Sequence, residues 1–230
     1  MSWKQYFTLQ KRHNNEVEIY EYTDKNVVAL PKDLQQPPGH HVRFHDCKKL
    51  VDISPLRNWD ASKLTSLDGL FWNCESLADI SPLSNWKTHN VTDMEGAFCN
   101  CYSLVDISPL SNWDVTNVTN MLEMLYECGT YDITPIAKWN FNADVELANF
   151  VTVNLRESYE GGFRSTGSID IDNYGGLQFV LQHQKVHEKS IHVDKLSLAL
   201  DVSSLTIPAR RSTETQTEPP KGLLSRIFGL

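Results

Sequence analysis

Residues 101–127 read CYSLVDISPLSNWDVTNVTNMLEMLYE, and the chain says nearly the same thing twice before that point. Residues 47–73 are CKKLVDISPLRNWDASKLTSLDGLFWN, and residues 74–100 are CESLADISPLSNWKTHNVTDMEGAFCN. A degraded copy, CGTYDITPIAKWNFNADVELANF, starts at Cys128 and is one residue shorter before its proline. Cys47, Cys74, Cys101 and Cys128 therefore mark a period of 27 residues. A fixed period in this range is the signature of stacked units, none of which can bury its apolar face alone.

The equivalent apolar positions form columns: Leu50, Leu77 and Leu104; Ile53, Ile80, Ile107 and Ile133; Leu56, Leu83, Leu110 and Ile136; Trp59, Trp86, Trp113 and Trp139. Columns that recur with the period are read as core. The spaced cysteines are read the same way, as small reduced thiols that pack inside each unit. Within one copy, Leu104–Ile107 suits a short strand, and Ser108-Pro109 suits the start of a turn. Val118, Met121 and Leu125 recur at helical spacing. The prediction is an α/β solenoid of about four 27-residue units with parallel stacked short strands, capped at both ends. Residues 1–46 form the N-terminal cap, 47–150 the solenoid, 151–208 a C-terminal α/β cap or small domain, and 209–230 a flexible tail.

The segments DISPLSN and WDVTNVTNM carry a resemblance. The repeats resemble those of the BspA-like leucine-rich repeat family, and DISPLSN is similar to the internalin type. That likeness covers residues 47–150 and implies a leucine-rich-repeat-like scaffold for recognition, adhesion or host contact, with no catalytic residues to carry over.

Composition sets outer limits. With 40% hydrophobic and 22% charged residues, the 230-residue chain is an ordinary globular sequence. Its start, MSWKQYFTLQKRHNNEVEIYEY, is polar, and no stretch approaches the roughly 18 apolar residues that span a bilayer. A cytoplasmic location is expected. Residues 47–150 carry fourteen acids against six bases and so hold the whole net charge of −8. Such a surface repels phosphates, so nucleic acid is not expected as a partner.

Positions that vary between otherwise constant copies are expected to face solvent. One such column is Trp72, Cys99 and Tyr126, and another includes Tyr102. Exposed Trp and Tyr anchor interfaces, unless flanking segments or a neighbouring chain cover them. Cys99 is expected to be the one accessible thiol. Asp52, Asp79, Asp106 and Asp132 form an acidic column, read as turn caps, as a negative stripe for a basic partner, or as a cation ladder.

Histidines suggest metal without completing a site. His40, His41, His45 and Cys47 cluster, and His183 and His187 are four apart, but neither set completes a zinc framework or H-E-x-x-H. No metal and no cofactor are expected. The chain ends in KGLLSRIFGL, where Leu223, Leu224, Ile227 and Phe228 fall on one helical face. That motif is read as a docking peptide, a weak membrane contact, or a segment that folds back on its own domain. The expected function is non-catalytic protein binding, as an inhibitor, immunity or adaptor protein with a partner that is basic. The alternatives are an exported surface or effector adhesin, or an enzyme with a site in residues 151–208.

Overall fold

Each repeated Ser-Pro-Leu opens a tight 3-10 turn because proline fixes φ and supplies no backbone donor where the turn needs none. The turns are Ser54–Asn58, Ser81–Leu83, Ser108–Leu110 and, with Thr-Pro-Ile, Thr134–Ile136. The aspartate two residues earlier accepts from the first N–H of the turn: Asp52 from Ser54, Asp79 from Ser81 and Asp106 from Ser108, each at 2.8 Å, and Asp132 from Thr134 at 2.9 Å. The acidic column therefore caps turns.

The computed structural model describes residues 3–12, 17–159 and 162–171. Regular β structure lies at the two ends of this region. Strands β1 (Phe7–Arg12), β2 (Val17–Tyr22) and β3 (Val42–Arg43) make a mixed sheet in which β1 and β2 are antiparallel and β2 and β3 parallel. Strands β4 (Val151–Tyr159) and β5 (Gly162–Ile171) form an antiparallel pair with a register shift between Leu155 and Arg156. Residues 172–208 of the expected C-terminal α/β cap or small domain, and the tail, lie outside the described residues.

Between these ends the backbone is a ribbon of turns. In residues 67–74, Leu67, Gly69, Phe71 and Asn73 donate to Asp93, Glu95, Ala97 and Cys99 of the next unit, each at 2.8 Å. Leu70 and Cys74 donate instead three residues back, to Leu67 and Phe71, each at 3.0 Å. The next unit repeats this with Met94, Gly96, Phe98 and Asn100 donating to Asn120, Leu122, Met124 and Tyr126. Left-handed residues drive the alternation: Gly69, Asn73, Gly96 and Asn100 have φ of 61, 59, 56 and 60°. A helix would send each N–H four residues back, and no run of it survives a positive φ at every fourth residue.

The α/β solenoid with stacked parallel strands is therefore corrected. Among the described residues there is no α-helix and no solenoid; regular sheet is confined to the small mixed three-stranded sheet and the β4–β5 pair. Where parallel strands were expected, the repeats contact through isolated bridges such as Ser66–Asp93 and Asp93–Asn120. The helix expected through Val118, Met121 and Leu125 is broken by Glu123, at φ 55°.

The core columns are buried as their recurrence requires. Phe44 stacks on Phe71 at 5.4 Å and Phe71 on Phe98 at 5.8 Å, while Trp86 and Trp113 lie parallel at 6.3 Å. Each buried ring of this size contributes about 1.5–3 kcal/mol. Polar atoms in the core find carbonyls one unit back. The Nε1–H groups of Trp86, Trp113 and Trp139 donate to Leu56, Leu83 and Leu110 at 3.1, 3.2 and 3.0 Å. The thiols of Cys74, Cys101 and Cys128 donate to Phe44, Phe71 and Phe98 at 3.3, 3.2 and 3.1 Å. Phe7 and Tyr22 from the first sheet close one end over Phe44. The β4–β5 pair covers the other, with Phe150 donating to Ile171 at 2.8 Å.

Candidate functional site

Glycines recur in the turn ribbon because side chains from the preceding segment lie directly over them. A Cβ on Gly69 would meet Arg43 Nε at 3.3 Å, and one on Gly96 would stand 2.6 Å from the Trp72 ring. Arg43 and Trp72 thus lie over successive turns. With His45, Asp46, Asp68, Gly69, Asn73 and Glu95 they line an open concavity of about 600 Å³.

Asn73 holds the floor of this concavity. Its side-chain amide donates to Asp46 Oδ1 at 2.8 Å, and Asn100 donates to Asn73 Oδ1 at 2.7 Å. All three residues have positive φ, which Asn and Asp tolerate better than most side chains. The amide of Asn73, together with His45, holds the Asp46 carboxyl below the usual carboxylate range. His45 bridges Asp46 at 2.9 Å and Glu21 of β2 at 2.7 Å. Glu21 is also lowered, because Lys25 and His45 outweigh the burial that would raise it.

Arg43 pairs with the Asp68 carboxylate, and its Nε donates to the Asp68 carbonyl at 2.9 Å. Glu95 accepts from the neutral amide of Asn120 at 2.9 Å. Asp93, which accepts the Glu95 N–H at 3.1 Å, is pushed above the usual range by burial and then by Asp68 and Glu95 nearby. The face thus carries Arg43 paired with Asp68, Asp46 held by both Asn73 and His45, and Glu95 held by the neutral amide of Asn120.

The expected site residues separate on the structure. Trp72 is half-buried at the edge of the concavity, and Tyr126 is half-buried one unit further from Cys99. Tyr102 is 52% exposed. Cys99, expected to be accessible, is only 2% exposed, and this expectation is corrected. Glu123 of the next unit approaches it, with Sγ to Oε2 at 3.8 Å, and burial with that carboxylate pushes the thiol up to about 12. Asp52, Asp79 and Asp106 are exposed on the turn face, away from the residues that line the concavity. His40 and His41 are within hydrogen-bonding distance of the carbonyls of Lys63 and Asp68. Among the described residues no three His, Cys, Asp or Glu side chains gather as a metal group. His183, His187, Leu223, Leu224, Ile227 and Phe228 lie outside the described residues.

Sequence reasoning missed Arg43, Asp46, Asp68, Asn73 and Glu95. The recurrence of Gly69 with Gly96, and of Asn73 with Asn100, was the available signal, since residues suited to positive φ at a fixed period imply a repeated turn.

Fold and site together define a repeat protein built from hydrogen-bonded turns, with a small charged concavity beside its first units. Residues 41–156 match the family model described as Mycoplasma protein of unknown function, DUF285, and the chain belongs to that family. No curated protein and no solved structure matches the chain. The family match corrects the resemblance to BspA-like and internalin-type leucine-rich repeats drawn from DISPLSN and WDVTNVTNM.

Proposed function

We propose that this protein is a non-catalytic binding module whose concavity takes a cationic side chain presented by a protein partner. One observation carries the reading: Trp72 stands in a cavity with Asp46, Asp68 and Glu95, against Arg43 as the one Lys or Arg lining it among the described residues. Trp is the strongest aromatic host for a cation, and a guanidinium or ammonium over its ring gains about 0.5–2 kcal/mol. Arg43 is occupied by Asp68 and His45 lies between Asp46 and Glu21, while Asn120 holds Glu95 without neutralising it. The repeat block's excess of acids over bases would steer such a partner towards this face.

Calorimetric titration of the full chain with an arginine-rich octapeptide tests this, beside a glutamate-rich control. The expected result is binding to the cationic peptide alone, weakened by salt and weakened by roughly tenfold in Trp72→Ala and in Glu95→Gln. Equal binding of both peptides, or an affinity indifferent to salt, overturns the reading.

A further inference from the structure

Asp68-Gly69 and Glu95-Gly96 are the same turn one period apart, and Asp68, Gly69 and Glu95 all line the concavity. The Asp68 N–H donates to Ser66 Oγ and the Glu95 N–H to Asp93 Oδ1, each at 3.1 Å. Gly69 and Gly96 follow with φ of 61 and 56°. The two carboxylates therefore leave equivalent backbone, with Glu95 the longer by one methylene.

What lies over each turn is different. Arg43 covers Gly69, where its guanidinium pairs with the Asp68 carboxylate and its Nε donates to the Asp68 carbonyl at 2.9 Å. Trp72 covers Gly96, and an indole has no charge to set against Glu95. Glu95 accepts instead from the Asn120 amide at 2.9 Å, through Oε2. Among the described residues no cation pairs with it. The second turn thus repeats the carboxylate of the first and replaces the guanidinium with a flat aromatic plate.

Given the cation-binding reading above, we propose that the side chain taken by the concavity is an arginine, whose guanidinium lies on Trp72 and pairs with Glu95 as that of Arg43 pairs with Asp68. A guanidinium is planar and weakly hydrated, and its N–H groups point outward in its own plane. It can therefore rest on an indole and donate to a carboxylate beside the ring at the same time. An ammonium is a compact, strongly hydrated point charge, and in an open concavity it keeps its water instead of trading it for the ring. Asp68 is already bound by Arg43, and Asp46 by His45 and Asn73, which leaves Glu95 to make the choice.

The test is calorimetric titration of the full chain with three octapeptides of one spacing, whose cationic positions are all arginine, all lysine or all the neutral isostere citrulline. At equal charge and salt the arginine peptide should bind roughly tenfold tighter than the lysine peptide, and the citrulline peptide not measurably. Glu95→Gln keeps an oxygen for Asn120, so its melting temperature should match wild type while the arginine peptide falls to the affinity of the lysine peptide. Lysine binding as tightly as arginine overturns the arginine assignment and leaves the cation site in place. An arginine preference that survives in Glu95→Gln also overturns it, since another group then makes the choice. Failure of both cationic peptides to bind better than citrulline removes the assignment and the cation site together.

Discussion

The six-membered ring of Trp72 rests on the Cα of Gly96, so close that a single added methyl would stand 2.6 Å from Cε3. Gly96 also holds φ at 56°, where a Cβ adds backbone strain. The two costs act together in Gly96→Ala. Denaturant unfolding should show a loss of about 1–3 kcal/mol. Trp72 must also lift from the ribbon, so cationic peptide binding should fall in the same variant while it remains folded. A Gly96→Ala protein with wild-type stability would mean the ring is not seated there.

Asn73 separates backbone from side-chain effects. Asn73→Gly keeps the φ of 59° accessible and removes the bonds to Asp46 and Asn100; Asn73→Ala removes the same bonds and adds strain. The expected losses are about 1–2 kcal/mol for glycine and about 1 kcal/mol more for alanine. Equal losses in the two variants would show that the left-handed conformation contributes nothing.

The tryptophan column offers an internal control. Trp113 donates to Leu83, but Trp59 heads the column, and its buried Nε1 has no hydrogen-bond partner among the described residues. Both indoles are buried, so replacement by phenylalanine removes a similar volume from each. Trp113→Phe should cost about 1 kcal/mol more than Trp59→Phe, the net value of one hydrogen bond. Calorimetric melting of the two variants checks the difference.

How far these features were legible depends on which forces set them. The period, the Ile53 and Trp59 columns and the buried cysteines follow from hydrophobic recurrence, which sequence displays directly. The Val118, Met121 and Leu125 spacing was misleading because successive closed turns bring every third or fourth side chain inward, as a helix does. What distinguishes the two is φ at Glu123 and Glu127, both 55°, at residues with no special propensity for it. Cys99 was misread for a related reason: its neighbour Glu123 belongs to the next unit, 24 residues on. Arg43 occupies the column of the buried Leu70, Ala97 and Met124, so only its position at the end of the stack frees it to reach Asp68.

Cysteine reactivity follows from burial. All five cysteines are unpaired and buried, and Cys47 and Cys99 are pushed up to about 11 and about 12 by desolvation first. A thiol held that high is protonated at neutral pH and is a poor nucleophile. A disulfide reagent added to the native protein at neutral pH should therefore label essentially no cysteine, and after unfolding in denaturant all five. Rapid labelling of one native thiol would locate an opening of the ribbon near it.

Asp93 and Asp46 make opposite contributions to the pH dependence of stability. Asp93 is raised in the fold by burial and by its acidic neighbours, so its favourable contribution is complete below the unfolded value of about 3.9 and is lost as pH rises through the folded value. Asp46 is lowered, so its contribution is present above that unfolded value and is lost as pH falls through the folded one. Asparagine at position 93 keeps the oxygen that accepts the Glu95 N–H, as Asn120 does for Leu122 at 3.1 Å in the following unit. Asp93→Asn should therefore raise the melting temperature at pH 7, and the gain should shrink to nothing near pH 3. A variant less stable than wild type at pH 7 would show that the Asp93 charge is needed, by Arg43 or by a group approaching from outside.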